Sequence, residues 1–298
     1  MATGNMHTDE AYTDVALVRR LVAAQFPQWA DLPITQVVSA GTVYVLYRLG
    51  DNMVVRLPRI GVSVEEIHKE YHWLPRLAPL LPVAIPVPLG LGAPAEGYQY
   101  MWLVYRWLEG ENPDPYQLSD PTALALDLAA CITALRAINP VDAPLSERGR
   151  RSLASIDAHT RSAIDQSHGL IDTDAARAAW DAALHTPAWH GPDVWVHADL
   201  LPGNLLVSGG RLSAVIDWGS LGLGDPASDI SAAWSLLPLA ARAEFRAVLQ
   251  TDDVTWARGR GLALAIALQA LPYYQHTNPV FARIAHRTIT EVLAEHEM

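Results

Sequence analysis

Residues 194–219 concentrate the side chains best suited to chemistry: V-W-V-H-A-D-L-L-P-G-N-L-L-V-S-G-G-R-L-S-A-V-I-D-W-G. Two β-prone runs, residues 204–207 and 212–216, flank a Ser208-Gly209-Gly210-Arg211 turn. If Val207 pairs with Leu212, Asn204 falls opposite Val215. Asp217, two residues on and on the same face, then lies diagonal to Asn204 at about 7 Å. A metal with ligand bonds of about 2.0–2.1 Å can bridge side chains placed like that. Asp199 precedes Asn204 by a tight loop containing Pro202 and Gly203, which aims its carboxylate into the same cleft. Such a trio suits phosphoryl transfer, where the transferring group carries spread negative charge and the protein supplies cations, alignment and an acceptor for the hydroxyl proton. In that chemistry Asp199 aligns a substrate hydroxyl and takes its proton. Asn204 and Asp217 hold Mg2+ on the triphosphate, and His197 braces the loop. Taken singly, each of these residues is more often a turn or strand-end residue; the spacing of the set is what points to chemistry.

The elements that must position them read as a β-rich first part and a helical second part. Residues 8–25 have Val15, Val18, Leu21 and Val22 on one helical face, with Pro27 as a stop. Residues 35–40, 42–49 and 52–57 form an antiparallel meander divided by Gly41 and the Gly50-Asp51 turn. Ser63 and Glu66 make a capping box for a helix with Ile67, Tyr71 and Leu74 on its apolar face. Residues 80–94 are too proline-rich for a helix and read as an extended connection. Residues 98–107 are aromatic and β-prone, and the Gly- and Pro-rich span 109–121 reads as a hinge. Asp120-Pro121 and Asn278-Pro279 open helices in cap-then-proline order, the first with Leu124, Leu128, Ile132 and Leu135 inward. Asp225-Pro226 reads as fixing the loop after Asp217, and Asp229 as a helix cap.

Thirty-two acidic against 21 basic residues, a net charge of −11 over 298 residues, argue against nucleic acid as a partner. They agree with a cationic acceptor steered by a negative field. The single cysteine, Cys131, forms no internal disulfide, and no apolar run approaches the length of a membrane span. The expectation is a cytoplasmic protein without a membrane partner, a monomer or homodimer.

His197-Ala198-Asp199, four residues, Asn204, and later Ile216-Asp217-Trp218-Gly219 resemble the catalytic loop and metal-binding turn of the kinase superfamily. With Gly222-Leu223-Gly224-Asp225-Pro226-Ala227-Ser228-Asp229 added, the string resembles the aminoglycoside phosphotransferase family of antibiotic kinases. The resemblance implies an α+β, two-lobed protein-kinase-like fold: a nucleotide-binding lobe over residues 1–107 with one major helix, and a mostly helical catalytic and substrate-binding lobe over residues 108–298. It implies a third-strand cation for phosphate, where this chain has Arg56 instead of the usual lysine. It also implies a helix glutamate pairing with that cation, Glu70 ahead of Glu66. The backbone of Val104, Tyr105, Arg106 and Trp107 would meet the nucleobase. Ser39, Gly41 and Thr42 would offer N–H and hydroxyl groups to phosphate from a turn with a single glycine. The implied donor is ATP or GTP with Mg2+. The implied acceptor is a hydroxyl of an antibiotic, an aminoglycoside first, with a nucleoside or macrolide antibiotic or a small hydroxylated metabolite as alternatives. Two other classes remain: a metal-dependent hydrolase using His197, Asp199, Asp217 and His190, and an inactive nucleotide-binding module. A protein-substrate kinase is disfavoured, because residues 217–229 leave no room for a long activation segment.

Overall fold

The computed structural model describes residues 10–38, 41 and 43–296. The chain divides into two compact units. The first comprises the described residues up to 80 with 84–109 and 214–219, and the second comprises 81–83, 110–213 and the residues from 220 onward.

In the first unit, helix α1 (Val15–Gln25) opens at Asp14, whose carboxylate accepts from Leu17 N–H at 2.7 Å. That cap sets the start later than the apolar periodicity predicts, since the N-terminal N–H groups of a helix need an acceptor. Strands β1 (Ile34–Val37), β2 (Tyr44–Leu49) and β3 (Met53–Pro58) form the antiparallel meander expected from their turns. Alternation along β2 buries Val45, Tyr47 and Leu49 beneath Leu17, Val18, Leu21 and Val22 of α1. Helix α2 (Val64–Leu77) starts at Ser63, whose hydroxyl accepts from Glu66 N–H at 3.1 Å. The proline-rich stretch after it contains a strand, β4 (Pro88–Gly92), paired with β5 (Trp102–Arg106) through an irregular register at Pro88–Gly90. The sheet order β1-β2-β3-β5-β4 puts β4 at an edge, where a proline without an N–H is tolerated. Extended proline-rich chain and edge strand share one backbone conformation, so only pairing separates them.

The second unit is built mainly of helices. Helix α3 (Pro121–Arg136) begins at the Asp120 cap with Pro121 at its first position, and buries Leu124, Leu128, Ile132 and Leu135. Helices α4 (Asp157–Gln166) and α5 (Thr173–Leu184) follow. Three short strands come next: β6 (Val194–Val196), β7 (Leu205–Ser208) and β8 (Arg211–Val215), the last two paired across Gly209 and Gly210. Within β8 the chain passes into the first unit, so Asp217 belongs to that unit and Asn204 to this one. Strand β9 (Gly222–Gly224) pairs antiparallel with β6 and leads into α6 (Ala227–Ile230), α7 (Ala232–Leu236) and α8 (Leu239–Leu249). Helix α9 (Asp253–Tyr274) is apolar around most of its circumference, as a central helix must be. It packs on α4, α5, α6 and the last helix, α10 (Pro279–His296). Among the described residues no helix is long and apolar enough to cross a membrane.

Candidate active site

In the second unit the chain leaves β6 through His197, which is buried, and turns left-handed at Ala198 (φ 65°). An alanine there is sterically disfavoured, and the surroundings show what holds it. The consecutive N–H groups of His197 and Ala198 converge on the carboxylate of Asp229 at 3.1 and 2.8 Å. Asp229 is fully buried inside α6 and caps nothing: α6 has no side-chain cap. The expectation of a helix cap is therefore corrected. At the left-handed turn two adjacent N–H groups point the same way, and they form an anion nest that a buried carboxylate fills. Burial raises the Asp229 pKa, opposed by the charge of Arg136 and by the two N–H groups. Asp229→Ala is expected to lower the unfolding free energy by about 2–6 kcal/mol, from two N–H groups that lose this acceptor at about 1–3 kcal/mol each. Urea titration checks this; a loss below about 1 kcal/mol would mean that other contacts hold the turn. Asp225 does fix the following loop, through Ala227 N–H at 2.8 Å and two hydrogen bonds from Arg258 at 2.8 and 3.1 Å.

Asp199 follows the turn, with its N–H 3.3 Å from His197 Nδ1, the bracing role expected of that histidine. Asn204 closes the loop: its Nδ2 donates to the Asp199 carbonyl at 2.8 Å and to Oδ2 at 3.3 Å. Both contacts use the amide nitrogen, so Oδ1 takes part in neither. Asn112 pins the same loop from outside, donating to the Gly203 and Leu205 carbonyls at 2.9 and 2.8 Å. The other oxygen of Asp199 carries an ion pair that sequence reasoning missed: Arg148 Nη2 lies 2.8 Å from Oδ1.

In the first unit, Arg56 on β3 is the centre of a largely buried charge cluster. Its Nη1 donates to both Glu70 oxygens at 3.0 and 2.8 Å, and its Nη2 donates to Asp217 Oδ1. Its guanidinium lies 3.5 Å from the centroid of the Tyr44 ring. Tyr105 donates its hydroxyl to Glu70. Glu66 is exposed, so Glu70 is the acidic partner of Arg56. Burial works against the charge on Arg56, but Glu70, then Tyr44 and Asp217, outweigh it and hold the pKa well above the ordinary value. Burial first, and Glu70 second, push the Tyr105 phenol well up, so it stays a neutral donor. Asp217 has a left-handed backbone (φ 61°), which aspartate tolerates better than most residues, and is 36% exposed.

The remaining expected nucleotide contacts fare differently. Val104 and Tyr105 are buried in their own unit. The N–H groups of Arg106 and Trp107 donate to the Val87 and Asn52 carbonyls at 3.2 and 2.8 Å, so they are engaged within the unit. Gly41 is exposed. Ser39 and Thr42 lie outside the described residues.

Residues 33–262 match the family model described as the phosphotransferase enzyme family. The chain belongs to that family. No curated protein sequence matched. Among solved structures, the GDP and kanamycin complex of APH(2")-IIia superimposes with a TM-score of 0.73 at 19% identity, covering 93% of this chain and 98% of that one. The GDP complex of wild-type aminoglycoside 2'-phosphotransferase-IIIa gives 0.72 at 19% identity, covering 95% and 100%. The apoenzyme of macrolide 2'-phosphotransferase MphH from Brachybacterium faecium gives 0.62 at 22% identity, covering 93% and 97%. At these identities the likeness shows a shared α+β, kinase-like fold. The protein is a phosphotransferase.

Within this phosphotransferase, the carboxylates available to a polycationic acceptor are fewer than the net charge suggests. Asp172 and Asp252 cap α5 and α9. Asp253 pairs with Arg246. Glu291 pairs with Arg242 and Arg287, and Glu295 accepts from Trp234, Trp256 and Arg242. Asp174 sits in the first turn of α5, and Glu297 lies outside the described residues. Caps and ion pairs thus account for most of the acidic residues of the helical part.

Proposed function

We propose that this phosphotransferase is a cytoplasmic small-molecule kinase that moves the γ-phosphoryl group of ATP or GTP onto a hydroxyl of an antibiotic. The observation that carries the reading is the Asp199 loop: a carboxylate at a clamped left-handed turn, with its backbone and one oxygen tied to Asn204. An aligned hydroxyl needs a fixed proton acceptor more than a strong base, because a loose phosphoryl-transfer transition state demands little nucleophilic push. Asp199 would hold the hydroxyl in line and take its proton late. The Arg56–Glu70 pair supports the donor side, since a guanidinium with a buried carboxylate behind it can grip phosphate in two-point fashion. Asn204 and Asp217 both offer side-chain oxygens, the hard ligands that suit magnesium, and are the proposed Mg2+ ligands. Bound there, the ion would neutralise charge on the triphosphate.

The relatives in hand were solved with GDP and kanamycin, or are macrolide enzymes, and support an antibiotic acceptor. The acidic balance of the chain puts aminoglycosides first. The commitment of the helical part's carboxylates to caps and ion pairs favours macrolide or other weakly charged acceptors as the second reading. The test is acceptor-dependent consumption of MgATP and MgGTP by the purified protein over a panel of aminoglycosides, macrolides and nucleoside antibiotics, with phosphorylated product identified by mass. An active aminoglycoside whose kcat/KM falls as ionic strength rises would support a steered cation. No acceptor-dependent turnover with either nucleotide would sink the kinase reading.

A further inference from the structure

Arg148 stands 51 positions before Asp199 in sequence, in the loop between α3 and α4, and its guanidinium lies 2.8 Å from Asp199 Oδ1. A surface ion pair on a loose loop would do little. This loop is fixed on both sides of the arginine. Ser146, fully buried, donates its hydroxyl to the Ser220 carbonyl at 2.6 Å and its N–H to the Leu223 carbonyl at 3.0 Å. The same hydroxyl accepts from Gly149 N–H at 2.8 Å. The Gly149 carbonyl accepts from Asp225 N–H at 2.9 Å and from Ser228 Oγ at 3.0 Å. A Cβ on Gly149 would come within 2.7 Å of Val196 and 2.8 Å of Ser146 Oγ, so the tight approach needs glycine. The loop that carries the arginine is thus anchored on residues 220–228, which run through β9 into α6, the element whose Asp229 clamps the Asp199 turn. Arg148 and the clamp share one support.

We propose that Arg148 is a positioning residue for Asp199, fixing the plane of the carboxylate that receives the acceptor's proton; this rests on the kinase reading above. Arg148 holds Oδ1 and Asn204 holds Oδ2, so rotation of the carboxylate is suppressed. As the hydroxyl oxygen bonds to phosphorus and the bond to the nucleoside diphosphate breaks, the hydroxyl proton passes to Asp199. Misalignment then lowers turnover without loosening either substrate.

The experiment uses the full chain, MgATP or MgGTP and the best acceptor of the panel, with Arg148→Met and Arg148→Lys compared with wild type. The methionine variant is expected to lose about 10- to 100-fold in kcat, while both KM values stay within about threefold. The lysine variant, which keeps the charge, is expected to recover part of the loss. Circular dichroism shows whether each variant folds. If only the lysine variant folds, soluble guanidinium is expected to raise its kcat. Three results overturn the proposal: unchanged kcat in the methionine variant, a loss confined to the acceptor KM, or a folded lysine variant no better than methionine and not rescued by guanidinium. Failure of the kinase reading shows instead in wild type, as no turnover with any acceptor, and it overturns both.

Discussion

Asp217→Ala is expected to reduce kcat by about three orders of magnitude or more, since a lost metal ligand removes several kcal/mol of transition-state stabilisation. The structure adds a control to that expectation. Asp217 is 36% exposed, whereas the Arg56–Glu70 pair it joins is largely buried and keeps both of its hydrogen bonds without it. The variant should therefore fold, with a melting temperature close to wild type, and lose activity through the site alone. Titration with nucleotide in the presence and absence of Mg2+ separates the effects: wild type should show a magnesium-dependent affinity that the variant lacks. Catalysis within about threefold of wild type would remove Asp217 from the metal assignment.

How far the site was readable from the sequence depended on how local each contact is. Asp199, Asn204 and His197 interact within eight residues, and their hydrogen bonds follow from the loop between β6 and β7. Caps are equally local, so Ser63, Asp120 and Pro121 start helices where expected. The Arg56–Glu70 pairing was reached through resemblance, and helical phase alone left Glu66 open. What stayed hidden was long in sequence and short in space. Asp229 looked like a helix cap because an aspartate near a helix start usually is one. Its true partners lie over 30 residues back and are defined only by the left-handed turn at Ala198. Arg148 sits in a run of three arginines within four residues, which reads as a solvated patch until the fold brings it to Asp199. Tyr105 was expected to act through its backbone; its phenol's hydrogen bond to Glu70, 35 residues away, was not visible in the sequence. Net charge is equally uninformative about place: −11 agrees with a cationic acceptor, while caps and arginine pairs take up most of the helical part's carboxylates.

Asp199→Asn is expected to lower kcat by about two to four orders of magnitude, the range typical of general acid–base groups. The substitution is nearly isosteric and keeps an oxygen for Arg148 or Asn204, but it removes the proton acceptor and the charge that Arg148 pairs with. The ion pair is partly exposed, with side chains 35% and 18% accessible, so its loss should cost little stability. The clamp on the loop is made by the backbone of His197 and Ala198, and it does not depend on the Asp199 side chain. KM for both substrates should change much less than kcat, because the lost interaction is made chiefly in the transition state. Steady-state kinetics with nucleotide titration on the purified variant decides among three outcomes. Near-normal kcat would remove Asp199 from the mechanism. Lost kcat with lost nucleotide binding would recast it as a metal or structural residue. Lost kcat with nucleotide binding intact is the result expected of a proton acceptor. In that case the Arg148→Met defect should largely vanish in the Asp199→Asn background, because a residue that works by orienting a carboxylate has nothing to orient once the carboxylate is gone.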